Sequence, residues 1–201
     1  MKQSEQDEER VMLYLQTFGL RCERFTKDER RIKKTPDFRV FRDDTLLMYC
    51  EIKTIASNSR LANQLKIEVV PGVAVSGSEQ DDSAYNRIAS DIHEAIKQFD
   101  SVNLDISVPN VLAFVNHDVG CEINDLYSVW TGKAEPGIDW PICRNVSEGR
   151  ICKEKMRFHL FMWFQLESPS PYLRFTPTHH LHTDKLKAIF SENGRTIRGC
   201  K

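Results

Sequence analysis

The sequence predicts an α/β protein, a mixed central sheet flanked by helices, and three patterns carry that expectation. Val11, Tyr14, Leu15 and Phe18 recur at helical spacing up to Gly19, a natural stop. From Phe38 to Ile52 the even positions Phe38, Val40, Leu46, Met48, Cys50 and Ile52 are apolar, while odd positions hold Asp37, Arg39, Tyr49, Glu51 and Lys53. That period of two marks a hairpin with one apolar and one polar face. A second helical stripe, Ile88, Ile92, Ala95, Ile96 and Phe99, leads after Pro109 into VLAFV at 111–115, a short run with the continuous apolarity of an interior strand.

Each element then follows in order. Ser4 is a fitting N-cap for the first helix, with Asp7 three residues on to complete a capping box. Residues 20–26 alternate loosely as a first strand, and a charged connection runs on to Lys34. Arg42-Asp43-Asp44-Thr45 has turn composition between the two hairpin strands. Residues 54–82 are polar and irregular, with Pro71-Gly72 between IEVV and VAV, the pattern of a small hairpin or flap. Ser83 caps the second helix, 132–150 reads as a long surface loop, 156–166 as a strong strand, and Thr183 opens a short terminal helix ending near Gly194. There is no internal repeat, and the expectation is one domain over 1–201.

Composition narrows the class. Of 201 residues, 40% are hydrophobic and 28% charged, the balance of a globular protein, and no run approaches the eighteen apolar residues of a helical span. The start, MKQSEQDEER, is acidic where a secretory signal is basic and then apolar, so a cytoplasmic location is expected. Cys22, Cys50, Cys121, Cys143, Cys152 and Cys200 are scattered without a CxxC pair and read as reduced thiols. A net charge of −1 excludes a generic polyanion binder, yet seven basic residues face three acidic ones between Arg21 and Lys34. That stretch is either a solvated loop or a grip on phosphates.

The hairpin carries the chemistry. Glu51 and Lys53 are two apart, so in a strand they leave the same face about 6 to 7 Å apart. Asp37 must meet them from the neighbouring strand. A tight loop at Asp43-Asp44 gives opposed residues an index sum of 87 and sets Asp37 against Cys50, on the wrong face. An odd loop centred on Asp44 gives 88 and pairs Asp37 with Glu51, Phe38 with Cys50 and Val40 with Met48. Only the second register keeps the apolar residues together. Two carboxylates and a cation converging in this way are what phosphodiester hydrolysis with a divalent ion requires.

Pro36-Asp37, thirteen residues, then Glu51-Ile52-Lys53 resembles the PD-(D/E)xK motif of the restriction-endonuclease-like nuclease superfamily. The order helix, strand, hairpin, helix, strand is similar to that family's αβββαβ core over about 4–116, leaving about 117–201 as a C-terminal elaboration with strand and helix additions. The resemblance implies Asp37, Glu51 and Lys53 as catalytic residues, with Asp37 and Glu51 binding Mg²⁺, for which Mn²⁺ substitutes, and the Ile52 carbonyl as a further ligand. Many members add a glutamate from the first helix. Glu8 shares a face with Val11, Met12 and Leu15 and lies at the distance from Gly19 seen in archaeal Holliday-junction resolvases, with Glu9 the fallback and Glu5 a distant third. Lys97-Gln98 resembles the Lys/Gln of several branches, which makes Gln98 a substrate-binding candidate alongside Arg30, Arg31, Lys33 and Lys34.

The function this implies is metal-dependent cleavage of nucleic acid, DNA ahead of RNA, in restriction, phage defence, repair or mobile-element processing. A homodimer is open to such a protein and a membrane is not expected. The alternatives are a catalytically inactive nuclease-fold binding module and an RNA-directed nuclease. Two further features stand apart: His179, His180 and His182, which lack partner spacing for a transition metal, and Trp130, Trp140 and Trp163, of which Trp163 sits in a strong strand and reads as core.

Overall fold

The computed structural model describes residues 2–56, 82–135, 138–141, 151, 154–165, 168, 170–176 and 180–191. Helix α1 (Gln3–Gln16) leads to β1 (Arg21–Arg24), a short α2 (Lys27–Ile32), and the hairpin β2 (Phe38–Arg42) and β3 (Thr45–Ile55). Helix α3 (Asp82–Asp100), β4 (Asn110–Asn116), α4 (Ile123–Thr131), and the small hairpin β5 (Lys133–Glu135) and β6 (Ile138–Pro141) follow. The described chain closes with a 3₁₀ turn (Glu154–Arg157), β7 (Leu160–Gln165), β8 (Tyr172–Phe175) and α5 (His180–Ser191).

The main sheet has six strands in the order β1-β2-β3-β4-β7-β8. β2 runs antiparallel to both β1 and β3, β3, β4 and β7 run parallel, and β8 returns antiparallel, so the sheet is mixed. Every residue of β4 is buried, as expected of a strand covered on both faces. On one face Val11 and Leu15 of α1 and Leu186 and Phe190 of α5 pack on Val40, Cys50, Val111 and Ala113. On the other, Ile88, Ile92 and Phe99 of α3 and Leu126 and Val129 of α4 pack on Leu112, Phe114, Phe161 and Trp163. The α/β class read from the sequence is the class observed.

The hairpin adopts the expected register by a different route. Phe38 lies opposite Cys50 and Val40 opposite Met48, but Phe41 opposes Leu46 and Arg42 opposes Thr45. The turn at Asp43-Asp44 is therefore the tight one, with Asp43 in the left-handed region at φ 52°, and an extra residue, Leu47, bulges from β3 to restore the parity. The bulge turns both Leu47 and Met48 into the core, so Leu47 replaces the expected Leu46 there.

Other boundaries move for local reasons. α1 begins before Ser4, with Glu5 Oε2 accepting from the Lys2 backbone N–H at 3.0 Å, and Asp7 is buried against the sheet instead of capping. The charged connection holds α2, because Thr26 Oγ1 accepts from Glu29 N–H at 3.3 Å while Glu29 Oε2 accepts from Thr26 N–H at 2.8 Å. The supposed loop from 132 contains β5 and β6, and α4 and β8 were not foreseen. The strand expected over 156–166 shortens to β7, because residues 154–157 form the 3₁₀ turn, and the terminal helix begins at His180, ahead of Thr183. The flap expected at 54–82 and the helix end near Gly194 fall almost wholly outside the described residues.

Candidate active site at the carboxyl end of the sheet

Strand directions bring the carboxyl ends of β1, β3, β4 and β7 and the start of β2 to one end of the sheet. In open α/β sheets this is the end where loops and helix termini converge on ligands. Asp37 stands just before β2. Its carboxylate Oδ2 accepts from the Ile52 backbone N–H at 2.8 Å, and its own N–H donates to Glu51 Oε2 at 3.1 Å. The Asp37 side chain thus continues the ladder between β2 and β3 for one more step after the backbone of β2 has ended. N–H and C=O of one strand residue point to the same side, so the Ile52 carbonyl faces the Asp37 gap too.

Glu51 is buried at 2% exposure, yet it is well partnered. Lys53 Nζ lies 2.8 Å from Glu51 Oε1 and 3.0 Å from Gln98 Oε1, and Gln98 Nε2 donates to the Thr35 carbonyl at 3.2 Å. Ser101 Oγ also donates to the Lys34 carbonyl. Two hydrogen bonds from the end of α3 therefore hold the segment that delivers Asp37. Around Glu51 and Lys53 the polar face of the hairpin is not solvated, since α3 packs on it, while Arg39 is covered by Glu29 of α2 and by Phe25.

Burial, and then the charge of Asp37, push the Glu51 carboxyl up to about 8, against the opposing pull of Lys53. Burial also raises Asp37, although the Ile52 N–H favours its charged form. Glu8 is raised by burial first and by Asp37 second, and Arg24 holds it at 2.8 Å. The charge of Asp37 thus disfavours ionisation of both Glu51 and Glu8, a burden that a divalent cation would relieve. Among the described residues no three His, Cys, Asp or Glu side chains enclose a metal by themselves. Mg²⁺ keeps several waters and needs only one or two carboxylates with substrate phosphate, so the chemistry of the set fits it.

The structure thus brings Asp37, Glu51, Ile52, Lys53 and Gln98 into contact and sets Glu8 within electrostatic reach. Glu9 and Glu5 are exposed. Among the basic candidates, Arg30 acts on both Asp37 and Glu8 through its charge. Arg31 is exposed on α2, while Lys33 donates to the Ser101 carbonyl at 2.9 Å and Lys34 pairs with Glu94 at 3.0 Å. Lys97, paired with Glu94, is a solvated helix flank.

Sequence reasoning missed two acids. Asp91 on α3 feels the charges of Lys53 and Arg87 and is raised by burial to about 6. Its spacing of seven from Gln98 puts both on one helix face, a signal legible once Gln98 is placed. Asp7 forms a separate buried cluster with Thr54 and His117. The remaining candidates resolve into structure. His182 Nε2 sits 2.9 Å from the Ile106 carbonyl and edge-on to His159, while His179 and the side chain of His180 lie outside the described residues. Trp163 and Trp130 are buried against Phe114 and Phe161, so neither offers a face for bases, and the Trp140 side chain lies outside the described residues. Cys22, Cys50 and Cys121 are free thiols, as expected, and the other three cysteines fall outside the described residues.

No known protein family, curated protein or solved structure matches the chain. Among the described residues no helix is long and apolar enough to cross a membrane.

Proposed function

We propose that this protein is a divalent-metal-dependent nuclease of the PD-(D/E)xK kind, hydrolysing phosphodiesters of DNA in preference to RNA. The observation that carries the reading is the reciprocal contact of Asp37 and Glu51 across the hairpin with Lys53 on the same carboxylate. A solvated ion pair on a sheet face would be worth about 0 to 1 kcal/mol and would give no reason to bury two carboxyls together.

Asp37 and Glu51 would hold Mg²⁺ or Mn²⁺ with the Ile52 carbonyl, and Glu8 would approach from α1. When bound, such an ion neutralises charge developing on the phosphate and makes water a stronger nucleophile near neutral pH. Lys53 has three N–H donors, and Glu51 and Gln98 occupy two. The third, which has no partner among the described residues, would hold the attacking water or a phosphate oxygen as the new O–P bond forms and the ester P–O bond breaks. Gln98, anchored on the Thr35 carbonyl, fixes where that ammonium sits. Arg30 and Arg31, whose side chains make no hydrogen bond or ion pair among the described residues, are suited to phosphate contacts that position the strand without reading its bases. The test is incubation with single-stranded, duplex and branched DNA and RNA, with Mg²⁺ or Mn²⁺ and with chelator. Ion-dependent cleavage lost in Asp37→Ala supports the reading, and binding without cleavage under every condition would replace it with the inactive binding module.

A further inference from the structure

Asp7 is a carboxylate in the first half of α1 with 2% exposure and no role in the chemistry above. Helix first turns favour acids through the backbone dipole, but such acids sit in water. Asp7 instead turns into the sheet. Its Oδ2 accepts from Thr54 Oγ1 at 2.5 Å, its Oδ1 lies 2.9 Å from His117 Nε2, and Gln3 Nε2 reaches the same Oδ1 at 3.2 Å. Thr54 follows Lys53 in β3, and His117 follows the last residue of β4, its N–H donating to the Ile55 carbonyl at 2.9 Å. One carboxylate therefore ties α1 to the ends of two adjacent parallel strands.

The next residue is Glu8. Successive residues on a helix point about 100° apart, so with Asp7 fixed toward β3 and β4 the direction of Glu8 is fixed as well. It points across to the end of β1, where Arg24 holds it at 2.8 Å, and it feels the charge of Asp37. The backbone of α1 could rotate or slide on its apolar stripe, because contacts among aliphatic side chains are not directional. Hydrogen bonds to a single buried carboxylate are directional, and they define one rotation of the helix.

We propose that Asp7, through Thr54 and His117, is the positioning residue that holds Glu8 at the end of β1, on the side of Asp37. The inference rests on the nuclease reading for what Glu8 does there, but not for the geometry. Supporting partners of metal ligands change cation affinity by roughly 10 to 100-fold when removed. Asp7 acts one step earlier, through the helix that carries the ligand.

The test is a double-mutant cycle read by calorimetric titration of Mn²⁺ into the full chain without substrate, with cleavage measured in parallel. Glu8→Gln and Asp7→Asn should each weaken Mn²⁺ binding by about tenfold, and the combined variant should be no weaker than either alone. Thr54→Val, which keeps the carboxylate and removes one bond, should weaken binding by a few-fold, and this variant carries the test if Asp7→Asn does not fold. Glu9→Gln, exposed on the same helix, should change nothing. In cleavage the Asp7→Asn defect should appear as a higher Mn²⁺ requirement, with kcat restored at saturating ion. Effects of Asp7→Asn and Glu8→Gln that multiply, or Mn²⁺ affinity unmoved in both Asp7→Asn and Thr54→Val, would overturn the proposal. Mn²⁺ binding with the predicted coupling but no cleavage would sink the nuclease reading and leave the positioning role standing. A wild-type chain that binds no Mn²⁺ would overturn both.

Discussion

Glu51→Gln should make the protein more stable while removing its proposed chemistry. The Glu51 carboxyl rises from an ordinary 4.5 to about 8, because burial and the neighbouring Asp37 both oppose its charge. Between those values the folded protein keeps a proton that the unfolded chain has released, so the contribution of Glu51 to stability is greatest below pH 4.5 and falls as pH climbs toward 8. At about 1.4 kcal/mol per pH unit, the gap is worth about 5 kcal/mol above pH 8. Glutamine removes that loss but offers one acceptor where Asp37 N–H and Lys53 both donate, so part of the gain is returned. The net expectation at pH 9 is a gain of roughly 2 to 5 kcal/mol, shrinking to within about 1 kcal/mol at pH 5, where the wild-type side chain is itself neutral. Urea denaturation in chelator at pH 5, 7 and 9 measures this directly. Mg²⁺ added at pH 9 should stabilise the wild type and leave Glu51→Gln unmoved. Parallel pH–stability curves for the two proteins would show that Glu51 is not held against its charge, and the account of the site as a strained acidic pair would fail.

Asp37→Ala and Asp37→Asn should both abolish ion-dependent cleavage but part company in stability. Alanine leaves the Ile52 N–H without its acceptor and should lose about 1 to 3 kcal/mol in thermal unfolding, whereas asparagine keeps an oxygen there and should lose less. Lys53→Ala should lower single-turnover cleavage by on the order of 10² or more with Mn²⁺ affinity largely kept, and undiminished turnover would move the chemistry elsewhere. Replacing Arg30 and Arg31 with alanine should flatten the log affinity against log salt slope by about 1.8 for duplex or about 1.4 for single strands. An unchanged slope would make α2 a solvated helix and nothing more.

The hairpin was legible because strand side chains alternate with period two, and a misplaced parity would have exposed Phe38, Val40 and Cys50 together. Its bulge was not, since Leu46, Leu47 and Met48 are all apolar and any of them can face a core. α2 escaped notice because no residue of it is buried, so it leaves no apolar stripe, although Thr26-Lys27-Asp28-Glu29 spells a capping box. Glu8 could be placed from its spacing to Val11 and Leu15. Asp7 could not, since a buried acid and a solvated one near the start of a helix look alike until Thr54 and His117 arrive from strands far along the chain. Gln98 was visible only through a resemblance, whereas its link to Lys53 depends on how α3 crosses the sheet.

Because Leu47 rather than the turn fixes which way Glu51 faces, the tip of the hairpin is uncoupled from the acidic pair. Asp43 and Asp44 are exposed, and strand pairing from Val40 and Met48 onward is set on the far side of the bulge. Descendants of this chain can therefore lengthen, shorten or decorate that tip while the acidic pair stays in phase. The same site is a natural place to graft a peptide or a fluorophore, which would ride on the end of the arm without disturbing how Asp37 meets Glu51.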